Sequence, residues 1–181
     1  MRLTKWGYYA DFILYPALVV ALSLHALGQE PTKVAVEWAV AVLGGMATWT
    51  FLEYLLHRFV LHHIQPFKGL HDMHHAHPLD LIGTPSWISA ALFLGLWLAL
   101  AHETSPDVAG GVTSGLMIGY LWYVFMHYAV HNLQVRRGSW LFDAKVRHAL
   151  HHHANLPCNF GVSTGFWDSV FGSSSTSYPR H

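Results

Sequence analysis

Four apolar stretches punctuate the chain, at about 12–27, 34–60, 85–101 and 108–131, and polar segments separate them. A spanning helix needs about 20 apolar residues, so each predicts a transmembrane helix. The second, taken as 27 residues from Val34 to Val60, would run about 40 Å at 1.5 Å per residue. That exceeds the ~30 Å hydrocarbon layer, so His57 and His62 are expected to emerge at its far end. The first stretch is slightly short, which puts the Tyr8/Tyr9 flank at the interface. Ala26-Leu27-Gly28 also fits a small-residue cleavage site, but Tyr15-Pro16 interrupts the apolar core that a signal peptide needs. Turns are expected at Gly28–Lys33 and His102–Asp107. Pro78, Gly83 and Pro85 close a polar segment that begins at His62. Beyond Asn132 the chain turns aqueous or interfacial, with a helix over Trp140–Leu150 and a frayed tail at Gly172-Ser-Ser-Ser.

Composition agrees with a lipid setting. Charged residues make up 11% and apolar residues 52% of the chain, whereas soluble domains carry about 25% charged residues. A formal net charge of zero gives no electrostatic reason to bind nucleic acid. The lone cysteine, Cys158, excludes an internal disulfide and a thiolate metal cage. At 181 residues a single domain is expected.

Histidine changes the picture most. Of 16 histidines, ten fall into four spaced groups: His57 with His62; His71, His74 and His75; His127 with His131; and His148, His151 and His152. Residues three or four apart share a helix face, so each of the last three groups can converge on one point. Adjacent histidines point about 100° apart, which separates the members of each doublet. One ion cannot collect ten imidazoles, but two neighbouring ions can, with each doublet serving both. Ten unmetallated imidazoles packed together would be costly to bury and would repel one another when protonated. All-imidazole ligation suits iron, zinc, copper or nickel. Glu53, one turn before His57, is placed to accept a proton from a ligand imidazole. His77, Asp80 and His153 are further candidates to orient ligands, Asp72 a helix-capping or orienting one. No catalytic side chain stands out beyond the ligands.

Topology supplies an independent argument. The second and fourth spans run the same way, so both carry their histidines to one membrane face. Arg2, Lys5, Arg58, Lys68, Arg136, Arg137, Lys145, Arg147 and Arg180 fall on that side and only Lys33 opposite. By the positive-inside rule the histidine face is cytoplasmic. The expected fold is therefore an all-α integral membrane protein: four transmembrane helices and a cytosolic helical cap, formed by segments 57–83 and 127–171, that carries a di-metal site.

Paired ions at a membrane surface suit oxidation of an unactivated C–H bond, which protein side chains cannot perform alone. Zinc would suit hydrolysis through a bound water, but no partner acid or nucleophile set accompanies the cluster. A metal transporter would carry its ligands inside the spans rather than at their ends.

The ordered set His57-x4-His62, His71-x2-His74-His75, His127-x3-His131 and His148-x2-His151-His152 resembles the fatty acid hydroxylase/sterol desaturase superfamily. Glu53-Tyr-x-x-His57-Arg-Phe, His74-His75-x-x-Pro78-Leu-Asp80 and Phe160-Gly-Val-Ser-Thr-x-x-Trp167-Asp168 are similar to its fatty acid 2-hydroxylase branch. The resemblance covers about Val34 to Phe171. It implies two metals with five histidines each: His57, His71, His74, His148 and His151 on one, His62, His75, His127, His131 and His152 on the other. It implies iron as the working metal, although zinc can occupy such sites. The implied reaction places one atom of O₂ on the carbon next to a fatty acyl carboxyl and reduces the other to water, with two external electrons per turnover. Sterol and carotenoid oxidation are alternatives of the same chemistry. Many eukaryotic members carry a fused cytochrome b5 domain; here a separate donor is expected, such as cytochrome b5 or a ferredoxin with its reductase.

Overall fold

A computed structural model describes residues 2–28, 31–153 and 157–176, apart from the side chains of 31–34. Asn155, Arg180 and His181 lie outside the described residues, as does the Lys33 side chain. The elements are α1 (Lys5–Tyr9), α2 (Asp11–Leu27), α3 (Pro31–Leu55) running into a π-helical turn (Leu56–Leu61), α4 (Phe67–Ala76), α5 (Ser86–Glu103), α6 (Pro106–Asn132), α7 (Trp140–His153) and α8 (Phe166–Val170). Among the described residues there is no strand, only an isolated bridge between Arg2 and Ile82. Four helical stretches, Lys5–Leu27, Ala35–Leu61, Ser86–Glu103 and Pro106–Asn132, are long and apolar enough to cross a membrane. α3 begins at Pro31, inside the segment Gly28–Lys33 where a turn is expected.

Local signals explain several helix starts. Ser105 caps α6, its Oγ accepting from the Val108 amide at 3.2 Å; Pro106 follows at the first helical position, where its missing N–H costs nothing. Ser139 does the same for α7, accepting from the Phe142 amide at 3.2 Å.

The chain divides into two compact units. One comprises residues 1–49 and 81–121, the other residues 50–80 and 122–181, so α3 and α6 each contribute residues to both. In the first unit, α3 and α6 cross backbone against backbone. A Cβ at Gly115 would come within 2.9 Å of the Gly45 Cα, and one at Gly45 within 3.0 Å of the Gly115 Cα; only paired glycines allow this approach. Beside the crossing, Tyr15, Phe93, Tyr120 and Trp49 pack edge to face with centroids 5.3–5.8 Å apart. Two polar locks join helices there: Tyr15 donates to Ser89 Oγ at 2.6 Å and Tyr120 to Asp11 Oδ2 at 2.7 Å.

The second unit holds the π-helical turn, α4, the end of α6, α7, α8 and the segment between α7 and α8. Its apolar core is Met126, Val130, Ala144 and Val162, flanked by Tyr123 and Leu141. Phe51 and Tyr54 pack against Trp167 and Phe171, with Tyr54 and Phe171 stacked at 5.4 Å. The stretch after α8 is not the frayed tail that its glycine and serines suggest. Ser173 is buried, its amide donates to the Asp168 carbonyl at 2.8 Å, and the Ser175 amide donates to Asn159 Oδ1 at 2.9 Å. Buried partners hold these serines where composition alone predicts disorder.

Candidate metal centre

All ten grouped histidines come together in the second unit, in two sets of five. His57, His62, His71, His75 and His151 form one set; His74, His127, His131, His148 and His152 form the other, and within each set the ligand atoms lie within 4.8 Å of one another. The closest contacts are Nε2 to Nε2, at 3.0–3.2 Å in the first set and 2.8–3.1 Å in the second. Two imidazoles bound at about 2.1 Å and at right angles on one ion would place their nitrogens about 3.0 Å apart. The donor set and spacing therefore fit one cation per set. The rings of His75 and His152, one from each set, stack at 4.2 Å.

This grouping differs from the partition implied by resemblance, which placed His74 and His148 with His57 and placed His62 and His75 with His127. Helical geometry explains the difference. On an α-helix the residue four on lies about 40° away and the residue three on about 60° away in the other direction. His71/His75, His127/His131 and His148/His152 each pair at four residues, which sends His74 and His151 to the opposite set. His57 and His62 are five apart, yet the π-helical turn over Leu56–Leu61 brings the residue five on to the position that four on occupies in an α-helix. Their rings stack with centroids 5.3 Å apart and planes 18° apart. Each doublet is split between the sets, as its spacing predicted.

Burial keeps the imidazoles neutral. It pushes His62 down to about 4, with His75 and His63 adding to the shift. It pushes His74 and His151 each down to about 3. His71, His75, His148 and His152 are lowered as well, mainly by burial. A neutral ring with a free lone pair is the form that binds a metal.

Two of the candidate ligands are fixed from behind by main chain. His57 Nδ1–H donates to the Phe160 carbonyl at 2.5 Å and His151 Nδ1–H to the Cys158 carbonyl at 2.8 Å. Each bond sets the tautomer and leaves Nε2 as the donor to a metal. The supporting segment is held by three buried side chains. Asn159, in the left-handed region at φ 54°, bonds the Ser175 amide and carbonyl and the Arg147 carbonyl. Asp168 Oδ1 accepts from the Phe160 amide at 2.8 Å and Oδ2 from the Gly161 amide at 2.7 Å. Glu53 Oε1 accepts from the Val162 and Ser163 amides at 2.7 and 2.9 Å.

Glu53, expected to receive a ligand proton, thus spends Oε1 on the supporting segment instead. His77 and His153 are exposed and Asp80 half-buried; the His153 ring lies 6.3 Å from that of His152. Asp72 pairs with Lys68 at 2.5 Å on the surface. The carbonyls of Cys158 and Phe160 escaped the sequence reading because main-chain acceptors carry no residue signature. Asp168 was available as a signal, since an acid in so weakly charged a chain needs a reason to be there.

Fold and site together describe a helical protein with membrane-length apolar helices and a paired imidazole centre. A profile for fatty acid hydroxylases matches residues 42–173, and the chain belongs to that family. It is 31% identical over 93% of its length to fatty acid 2-hydroxylase of Homo sapiens, covering 53% of that protein. It is 35% identical over 71% of its length to dihydroceramide fatty acyl 2-hydroxylase FAH2 of Arabidopsis thaliana, covering 57% of it. The chain thus spans about half the length of these curated relatives. A solved structure described as full-length scs7p, with only the hydroxylase domain visible, shares the fold: TM-score 0.81 at 24% identity, over 94% of this chain and 67% of that one.

Proposed function

We propose that the protein is an O₂-dependent di-iron hydroxylase of membrane lipids, acting on a fatty acyl chain at the carbon next to the carboxyl. The observation that carries this reading is the pair of five-imidazole sets, with their closest nitrogens 2.8–3.2 Å apart. Each set would hold one ion: His57, His62, His71, His75 and His151 the first, His74, His127, His131, His148 and His152 the second. Bound iron would supply the O₂ activation that side chains lack. The protein's own part is to present neutral Nε2 donors, to fix two of them through the Cys158 and Phe160 carbonyls, and to bury five of the ten ligands from water. The names of the relatives support a fatty acyl or ceramide substrate, and the apolar helices suit one dissolved in a bilayer. Electrons would come from a separate carrier such as cytochrome b5, or a ferredoxin with its reductase. The excess of Lys and Arg on the histidine side supports a cytoplasmic centre.

The test is a lipid profile of expressing cells grown under ¹⁸O₂, wild type beside His74→Ala, in a host that supplies electrons. A 2-hydroxy acyl species labelled only with wild type is expected. Label in sterol or carotenoid would move the substrate and keep the chemistry. An absence of labelled lipid would overturn the reading.

A further inference from the structure

We propose that the two metal sites are unequal, with Asp168 acting as a remote carboxylate that makes the His57 set the tighter of the two. The inference rests on the metal-centre reading above and adds an order to its sites.

The connection runs through a single peptide unit. The Phe160 carbonyl, which accepts from His57 Nδ1–H at 2.5 Å, belongs to the same peptide as the Gly161 amide, which donates to Asp168 Oδ2 at 2.7 Å. A carboxylate on the amide end polarises the peptide and strengthens its carbonyl as an acceptor. That carbonyl in turn draws on the Nδ1 proton and raises the donor strength of Nε2. A ligand imidazole backed directly by a carboxylate is a common arrangement; here one peptide stands between them. Asp168 is 1% exposed, and the Phe160 amide, the Gly161 amide and the Ser173 hydroxyl all donate to it, at 2.7–2.8 Å. Three donors and no acceptor are the company of an anion.

His151, in the same set, is held similarly. Its Nδ1 bonds the Cys158 carbonyl, and the amide of that peptide, on Asn159, donates to the Ser173 carbonyl at 2.9 Å. The other set has a different environment. Among the described residues, the Nδ1 atoms of His74, His148 and His152 are buried with no hydrogen-bond partner. These rings lack the fixed orientation and the electron-donating support given to His57 and His151. Losing an orienting partner of this kind costs about 10–100-fold in metal affinity.

The experiment loads the full-length protein with two equivalents of Zn²⁺ in detergent and follows release to a chromophoric chelator. Wild type is expected to release in two phases of equal amplitude, at least tenfold apart in rate. Asp168→Asn keeps the side chain's shape but removes its charge and one acceptor. It should accelerate the slow phase about 10–100-fold and leave the fast phase unchanged. Glu53→Gln gauges general loosening of the supporting segment, since Glu53 holds the neighbouring Val162 and Ser163 amides; it is expected to accelerate the slow phase less than Asp168→Asn does. A single wild-type phase would overturn the inference. So would equal acceleration of both phases by Asp168→Asn, no acceleration, or acceleration matched by Glu53→Gln. Should Asp168→Asn fail to fold, the wild-type trace decides the asymmetry alone. A protein that retains no Zn²⁺ would instead defeat the metal-centre reading.

Discussion

Each grouped imidazole can offer one lone pair at Nε2, and a proton competes with a metal for it. Burial holds His62 near 4 and His74 and His151 near 3, against about 6.5 in an unfolded chain. Between those values the unfolded chain binds protons that the folded one refuses. The stabilising contribution of neutral imidazoles is therefore complete above pH 6.5 and is lost as pH falls through the window toward 3. The melting temperature of metal-free protein should be flat from pH 8 to 7 and decline from 6.5 to 4.5. A constant or rising melting temperature across the lower interval would contradict the neutral cluster. At this scale the convergence of the ten histidines was readable, because imidazoles at chelating spacing in an apolar chain have few other uses. What stands behind them was not: the acceptors for His57 and His151 are main-chain carbonyls of Phe160 and Cys158, which any residue could supply.

Among the elements, helical spacing decides which imidazoles meet. Three α-helical segments pair histidines at four residues, and the fourth pair succeeds at five because its turn is π-helical. A helix periodicity of 3.6 assigns His57 and His62 to different faces, so the partition could not be read before the backbone was known. The π-helical turn looks like an α-helix that has absorbed one additional residue. Deleting Phe59, which is 51% exposed, would restore α-helical spacing and place the flanking histidines four apart. That variant is expected to keep two metals per chain by elemental analysis. Inserting an alanine after Phe59 separates them by six and should reduce the count to one. Loss of metal in the deletion would mean that the π geometry itself matters, beyond the facing of the two rings. The serines after α8 carry the converse lesson. Their composition reads as a loose tail, yet Asp168 and Asn159 tie them into the segment that backs His57 and His151.

For the whole molecule, the apolar stretches made the helical membrane class legible, since hydropathy and length are properties of sequence alone. Their register to a bilayer follows from α6. Its 27 residues, Pro106–Asn132, extend about 40 Å, more than the ~30 Å hydrocarbon layer. Its two ends should therefore meet opposite aqueous phases, with His127 and His131 in the final turns on the side richer in Lys and Arg. Gln134 follows one end and Ser105 precedes the other, and both are exposed. The native Cys158 is buried, which leaves introduced thiols as the reactive ones. Gln134→Cys should be modified by a membrane-impermeant maleimide only from the cytoplasmic side, and Ser105→Cys only from the other. The reverse pattern would turn the metal centre away from the cytoplasm and from any soluble electron carrier there. Modification of both from one side would mean that α6 does not cross, because no helix of this length can span a bilayer and return.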